Sequence, residues 1–287
     1  MKELIIRDKY DGKKLNNVIL SEFNELNVNS LYKALRKKDI RLNDIKISEN
    51  VIVHTGDKIK IFITDDALLG NKKFLISKDS IIYDDTNIIA IDKPIGIEVV
   101  GQNSLTQILT QYLGYPIYPC HRLDRNTSGI ILYAKNEEAL NILLNKFKNY
   151  EIEKHYTCTV YGIPKKSSDI LTAYLFKDNK KSLVYISDIQ KKGYQKIITE
   201  YKIILSNKQD NTCKLDVTLH TGKTHQIRAH LAHIGYPIIG DGKYGNNQIN
   251  KKFNCTTQLL VSESISFRFT TNSGILNYLN NVQIKLL

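Results

Sequence analysis

The sequence predicts an α+β protein of two domains. A small N-terminal α/β module covers residues 1–65, a connector covers 66–79, and a larger domain of mixed or antiparallel sheet covers 80–287. Three observations carry this. Within the first 65 residues apolar positions recur at helical spacing and then at strand spacing. The stretch 66–79 shows no sustained period. Beyond it, strand-like runs bounded by turn residues outnumber the helical patterns.

Between Lys14 and Leu26, residues Leu15, Val18, Ile19, Phe23 and Leu26 fall on one helical face. A second helix is expected to begin after Ser30, a good N-cap, with Leu31, Ala34 and Leu35 inward and Lys33, Arg36 and Lys37 on the other face. Short strands follow at 40–42 and 45–47 around Asn43-Asp44, and at Ile59, Ile61 and Ile63. In the larger domain "SIIYDD" and "NIIAIDKP" flank the turn residues 84–87, which predicts a hairpin. Ser104 caps a helix with Leu105, Ile108, Leu109, Tyr112 and Leu113 on one face, closed by Gly114. "GIILYAK" (129–135) reads as a buried strand, and Ala139, Leu140, Leu143, Leu144 and Phe147 as a helix. Strands are expected at 154–161, 196–204 and 213–219, the last with Leu215, Val217 and Leu219 alternating against polar residues.

The chain holds 41 Lys+Arg against 29 Asp+Glu, a net charge of +12, which favours an acidic partner. The surplus is +3 in residues 1–65, +1 in 66–79 and +8 in 80–287, so most of it belongs to the larger domain. It is concentrated once more at 31–46, where Lys33, Arg36, Lys37, Lys38, Arg41 and Lys46 face only Asp39 and Asp44. No apolar run approaches the ~18–20 residues needed to cross a bilayer. The N-terminus carries charges where a signal peptide needs an apolar stretch, so a cytoplasmic protein is expected. Cys120, Cys158, Cys213 and Cys255 form no CxxC pair and read as reduced packing residues.

Two clusters could carry chemistry. His121-Arg122-Leu123-Asp124-Arg125-Asn126-Thr127-Ser128-Gly129 places ionisable groups between apolar stretches, where charge is costly unless paired or used. From the local pattern, Asp124 is either a functional carboxylate or the cap of a polar turn. The second cluster runs from His220 to His230. Gly222-Lys223-Thr224 imitates the end of a P-loop, but Val217 stands where that motif needs glycine, which excludes a nucleoside triphosphatase of that type. His220, His225, His230 and His233 lack the carboxylate and spacing of a zinc motif, leaving metal binding as a secondary alternative. "HRLDRN" lacks the Gly-rich loop and DFG that would make it a kinase loop.

Taken together, "HRLDRNTSGIILYAK" (121–135), "KHYTCTVYG" (154–162) and "TGKTHQIRAHLAHIGYPIIGDGKYG" (221–245) resemble the successive motifs of RluA-type pseudouridine synthases in order and spacing. "IDKPIGI" (91–97) resembles the motif that precedes them. The two helices, "DIRLND" and "TGDKIKIFI" resemble an S4-like RNA-binding domain. The resemblance implies isomerisation of uridine in RNA to pseudouridine without cofactor or metal, on ribosomal RNA of the large subunit or alternatively on transfer RNA, by a monomer. A catalytically silent RNA-binding or ribosome-assembly protein is the alternative from another class. The resemblance further implies that Asp124 acts at the ribose, as nucleophile at C1′ or as base, that Arg228 pairs with it, and that Tyr156 stacks on the base near C5. It makes Arg122 the residue that fills the space left by the extruded nucleotide, with Lys223, Lys33, Arg36, Lys37, Lys38 and Arg41 as further RNA contacts. Thr127, Ser128 and Gly129 are read as turning the chain and hydrogen-bonding Asp124, Gly222 as easing the turn into a helix, and "GYPIIGDGKYG" as scaffold.

Overall fold

The computed structural model describes residues 2–23, 26, 28–62 and 76–286. Its contacts divide the chain into two compact units, Met1–Leu75 and Ile76–Leu287. Residues 66–75 of the expected connector, and Ile63 of the last N-terminal strand pattern, lie outside the described residues.

The first unit contains β1 (Lys2–Ile5), β2 (Lys13–Lys14), α1 (Leu15–Glu22), α2 (Val28–Lys37), β3 (Ile40–Leu42), β4 (Ile45–Ile47), β5 (Ile52–Val53) and β6 (Lys58–Ile61). An antiparallel sheet runs β1-β6-β3-β4, with β2 and β5 as a separate pair. Asn43 and Asp44, both at positive φ, close the β3–β4 hairpin as its two-residue turn demands. Leu15, Val18 and Ile19 of α1 and Leu31, Ala34 and Leu35 of α2 pack with Ile40, Ile59 and Ile61 of the sheet. Two sequence expectations are corrected here. The second helix begins at Val28, so Ser30 lies inside it rather than capping it. The first ends at Glu22, although Leu26 beyond it is still buried.

The second unit is built on eleven strands: β7 (Ile81–Asp84), β8 (Ile88–Lys93), β9 (Tyr118–Pro119), β10 (Ser128–Ala134), β11 (Ile152–Tyr161), β12 (Ser168–Asp178), β13 (Leu183–Ser187), β14 (Gln195–Asn207), β15 (Thr212–Leu219), β16 (Leu260–Phe267) and β17 (Gln283–Lys285). Its helices are α3 (Leu105–Leu113), α4 (Glu137–Lys148), α5 (Gln226–His233) and α6 (Asn247–Lys252). The strand order is β13-β12-β14-β15-β11-β16-β10-β8-β7, with β17 on β16 and β9 on β10. Among the described residues all pairings of this sheet are antiparallel except β10 with β16, so the sheet is mixed. The hairpin at 84–87 and both caps of α3 form as expected, with the Ser104 hydroxyl accepting from Gln107 N and Gly114 left-handed. Tyr112 and Leu144, expected inward, are exposed. The helix faces toward the core are narrower than the apolar spacing implied.

The single parallel pairing positions the site. Ser262 of β16 stands beside Gly129 of β10 on one side and Tyr156 of β11 on the other. The Asp124 loop enters β10 and Tyr156 lies on β11, so this register sets two segments about two inter-strand spacings apart, near 10 Å. Gly129 is essential to it. Its φ of +103° suits only glycine, and a Cβ there would stand 2.2 Å from the Ser262 carbonyl oxygen. Gly129→Ala is expected to cost about 3 kcal/mol or more through backbone strain and overpacking. A urea melt checks this, and an unchanged midpoint would show that the two strands part easily.

Candidate active site

Asp124 lies in the loop between β9 and β10, and that loop is fixed from two sides. Lys93, fully buried at the end of β8, donates from Nζ to the carbonyls of Pro94 (2.9 Å), Ile97 (3.0 Å) and Arg125 (3.1 Å). Burial is the main cause of its pKa falling to about 8, with Asp124 opposing the fall. Gly96 N–H donates to the Arg125 carbonyl at 2.8 Å, and Arg125 Nε returns a bond to the Gly96 carbonyl at 2.9 Å. From the other side, Gln258 Nε2 donates to Thr127 Oγ1 at 2.7 Å. The Thr127 hydroxyl therefore serves Gln258. Thr127 meets Asp124 through the backbone, donating its N–H to the Asp124 carbonyl at 3.0 Å.

Arg228 reaches this carboxylate from the first turn of α5. Its Nη1 donates to Asp124 Oδ2 at 2.8 Å, while Nε and Nη2 donate to Asp241 Oδ2 and Oδ1 at 2.7 and 2.9 Å. Asp241 is fully buried, and its Oδ1 also accepts the N–H groups of Lys243 (2.8 Å) and Tyr244 (3.1 Å). Burial pushes the Asp241 carboxyl up, but Arg228 and the two amides outweigh it and hold the group below its ordinary value. One guanidinium thus ties two carboxylates together, and the pair with Asp241 is the bidentate one. Sequence reading placed Asp241 in scaffold; its partner is 13 residues away and nothing local marks it. The available signal was a carboxylate set between glycines in an otherwise apolar "YPIIGDG".

Tyr156 is buried on β11, and burial followed by the negative charge of Asp124 raises its pKa, which keeps it a phenol. Lys154 lies two residues earlier on the same face of the strand. Its ammonium sits 5.3 Å above the Phe147 ring, and burial lowers its pKa to about 8. Gly222 makes room for it, because a Cβ there would stand 3.0 Å from Lys154 Nζ. The left-handed residue in the turn before α5 is His225 (φ 52°, ψ 20°). His121 of the same motif as Asp124 belongs to the scaffold, since its Nε2 accepts the Leu132 N–H at 3.0 Å.

Two adjoining cavities meet at Asp124. The larger, about 640 Å³, is bordered by Arg125, Lys177 and Lys243, and the smaller, about 120 Å³, by Lys154, Tyr156 and Leu260. Arg122, Asp124, His225 and Arg228 line both. Arg122 and Lys223 are exposed at the rim, and among the described residues neither side chain has an ion pair. The structure therefore gathers Asp124, Tyr156, Arg228, Arg122 and Lys223 around one opening. Lys33, Arg36, Lys37 and Lys38 are exposed in the first unit, and Arg41 stacks its guanidinium 4.9 Å above the Phe62 ring. Among the described residues no group of histidine, cysteine and carboxylate side chains is arranged to hold a metal. His220 and His233 are instead engaged with Glu200 and Asp188, each at 2.8 Å, and His230 with Thr199 at 3.0 Å.

A carboxylate clamped by arginine, opening onto a small cavity with a tyrosine wall and a basic rim, is equipment for chemistry on a nucleotide drawn out of a nucleic acid. Residues 87–233 match the family described as RNA pseudouridylate synthase, and the chain belongs to that family, as an RluA-type enzyme converting uridine in RNA to pseudouridine. It is 30% identical over 282 residues to the ribosomal large subunit pseudouridine synthase C of Buchnera aphidicola subsp. Baizongia pistaciae, covering 92% of this chain and 88% of that one. It is 28% identical over 249 residues to the mitochondrial tRNA pseudouridine(32) synthase of Saccharomyces cerevisiae, covering 85% and 53%. The solved structure of human RNA pseudouridylate synthase domain containing 1 superposes with a TM-score of 0.59 at 21% identity, over 67% of this chain and 80% of that one, a likeness of fold.

Proposed function

We propose that this enzyme acts in the cytoplasm on RNA of the large ribosomal subunit, with Asp124 as the group that meets the ribose of the target uridine. The observation that carries the site is the chain of contacts from Asp241 through Arg228 to Asp124 at the junction of the two cavities. The smaller cavity takes the extruded uracil against Tyr156, and the larger, basic one takes the flanking strand. The C1′–N1 bond breaks, uracil leaves with the bonding electrons and turns, C5 bonds to C1′, and the C5 proton is lost as N1 gains one. Nothing is added or removed, so the product is an isomer. Asp124 serves either as nucleophile at C1′ or as base at the sugar. Arg122 takes the place vacated in the stack, and Lys223 meets phosphate at the rim.

The test is to map pseudouridine by carbodiimide-dependent reverse-transcription stops in ribosomal and transfer RNA from cells with and without the protein. Loss of a large-subunit signal supports the reading. Loss confined to transfer RNA moves the target there, and no loss anywhere overturns it.

The first unit is assigned an S4-like role in holding RNA through Lys33, Arg36, Lys37, Lys38 and Arg41. Neutralising Arg36, Lys37 and Lys38 to glutamine is expected to weaken RNA binding about tenfold at 0.15 M salt. It should also flatten the salt dependence by up to about three counterions. Filter binding across a salt series checks this, and unchanged affinity removes that face from the interface.

A further inference from the structure

His225 stands where the two cavities meet and has no part in the roles assigned above. Its backbone is left-handed, a conformation disfavoured for residues with a Cβ and concentrated at functional sites. Although it precedes α5, its side chain caps nothing, and the Lys223 N–H is taken by Gln226 Oε1 instead. The ring is turned into the site. Nδ1 lies 2.7 Å from the Tyr244 hydroxyl and Nε2 lies 3.9 Å from Asp124 Oδ2.

Tyr244 accepts the Val184 N–H at 2.9 Å and stays a phenol, which leaves its own proton to be donated to His225 Nδ1. Burial holds His225 below its ordinary pKa, with Arg228 and Lys243 acting the same way and Asp124 and Asp241 opposing. The neutral ring then carries its single proton on Nε2, facing Asp124. At 3.9 Å no direct bond forms, and Oδ2 already receives Arg228. An oxygen atom set to the cavity side of the Nε2–Oδ2 line, rather than on it, can lie about 2.8 Å from both. It must accept from the imidazole and donate to the carboxylate, which a hydroxyl does and a carbonyl, ring ether or phosphate diester does not.

The hydroxyl nearest C1′ of a nucleotide is the 2′-hydroxyl. We propose that His225 and Asp124 hold the 2′-hydroxyl of the target uridine between them, Nε2–H donating to O2′ and O2′–H donating to Oδ2, so that the site itself distinguishes ribose from deoxyribose. This rests on the reading of Asp124 as the group that meets the sugar. It also gives Tyr244 of "GDGKYG" a task, as the residue that fixes the imidazole tautomer.

His225→Gly separates this role from a structural one, because glycine relieves the left-handed backbone and the variant is expected to melt at or above the wild-type temperature. Four single-turnover rate constants are measured: wild type and H225G, each on an RNA spanning the mapped uridine with ribose or 2′-deoxyribose at that position. Removing the hydroxyl is expected to slow wild type about tenfold, and H225G to slow the ribose substrate about tenfold. H225G should scarcely slow the deoxyribose substrate any further, since that substrate already lacks the oxygen that accepts from Nε2. Losses that multiply to about 100-fold overturn the contact, as does full activity of H225G on the ribose substrate. A wild type inactive on the ribose substrate overturns the functional reading as well, whereas multiplicative losses with an active wild type remove the His225 contact alone.

Discussion

Asp124→Asn is expected to lower the single-turnover rate of pseudouridine formation at least about 1,000-fold, the scale of removing a reacting group rather than a binding contact. The amide keeps the shape of the carboxylate and its oxygen can still accept from Arg228 Nη1. It offers neither a nucleophilic oxygen anion nor a base. The fold has little reason to respond. The Asp124 side chain is 18% exposed, and the Arg228 guanidinium keeps its bidentate partner Asp241. The turn itself is held by backbone groups, with Lys93 and Gln258 on either side. Thermal melting should therefore move by no more than a few degrees while the carbodiimide-dependent stop at the target uridine disappears. A variant that forms pseudouridine at the wild-type rate would remove Asp124 from the chemistry and leave Arg228 as a structural clamp.

What the sequence made legible follows from how local each signal is. The strand 213–219 and the α3 caps were readable because alternation and capping are properties of adjacent residues, and the structure places β15 and α3 there. β16 escaped because Ser262, Ser264 and Ser266 look like surface residues. They are buried, with Ser262 Oγ donating to the Ile130 carbonyl and Gln283 Nε2 donating to the other two hydroxyls. Those partners are 17 to 132 residues distant, so no local pattern announces them. The same distinction runs through the site. Asp124, Tyr156 and Arg228 each sit in a run of residues specific enough to be recognised by resemblance. Asp241 and His225 gain their meaning only from what folding brings to them: an arginine on another element, a tyrosine hydroxyl, and a carboxylate 3.9 Å from a ring nitrogen.

Asp241→Asn is expected to show the opposite balance from Asp124→Asn, with stability falling first and activity following. Asp241 accepts four N–H donors, two from Arg228 and one each from Lys243 and Tyr244. An asparagine offers one acceptor oxygen and turns its amide group toward donors whichever way it lies. A buried guanidinium that loses its bidentate anion and keeps only the single bond to Asp124 costs up to about 3–5 kcal/mol, because most of its compensation out of water is gone. For a unit of about 200 residues this lowers the melting temperature on the order of 10 °C. The pH dependence has a definite sign. Because the Asp241 carboxyl is held below its ordinary value, its contribution is fully present above about pH 4 and is lost as pH falls through the folded-state value. The stability difference between wild type and variant should therefore be constant near neutrality and shrink in acid. Activity should fall as well, measured at a temperature where the variant is folded, because Arg228 released from Asp241 no longer presents Nη1 to Asp124 at a fixed angle. Urea melts from pH 3 to 8 with parallel single-turnover assays separate the two effects. If Asp241→Asn keeps both the wild-type melting curve and the wild-type rate, the clamp on the Asp124 carboxylate does not depend on its buried partner, and the orientation of Asp124 must come from its own loop.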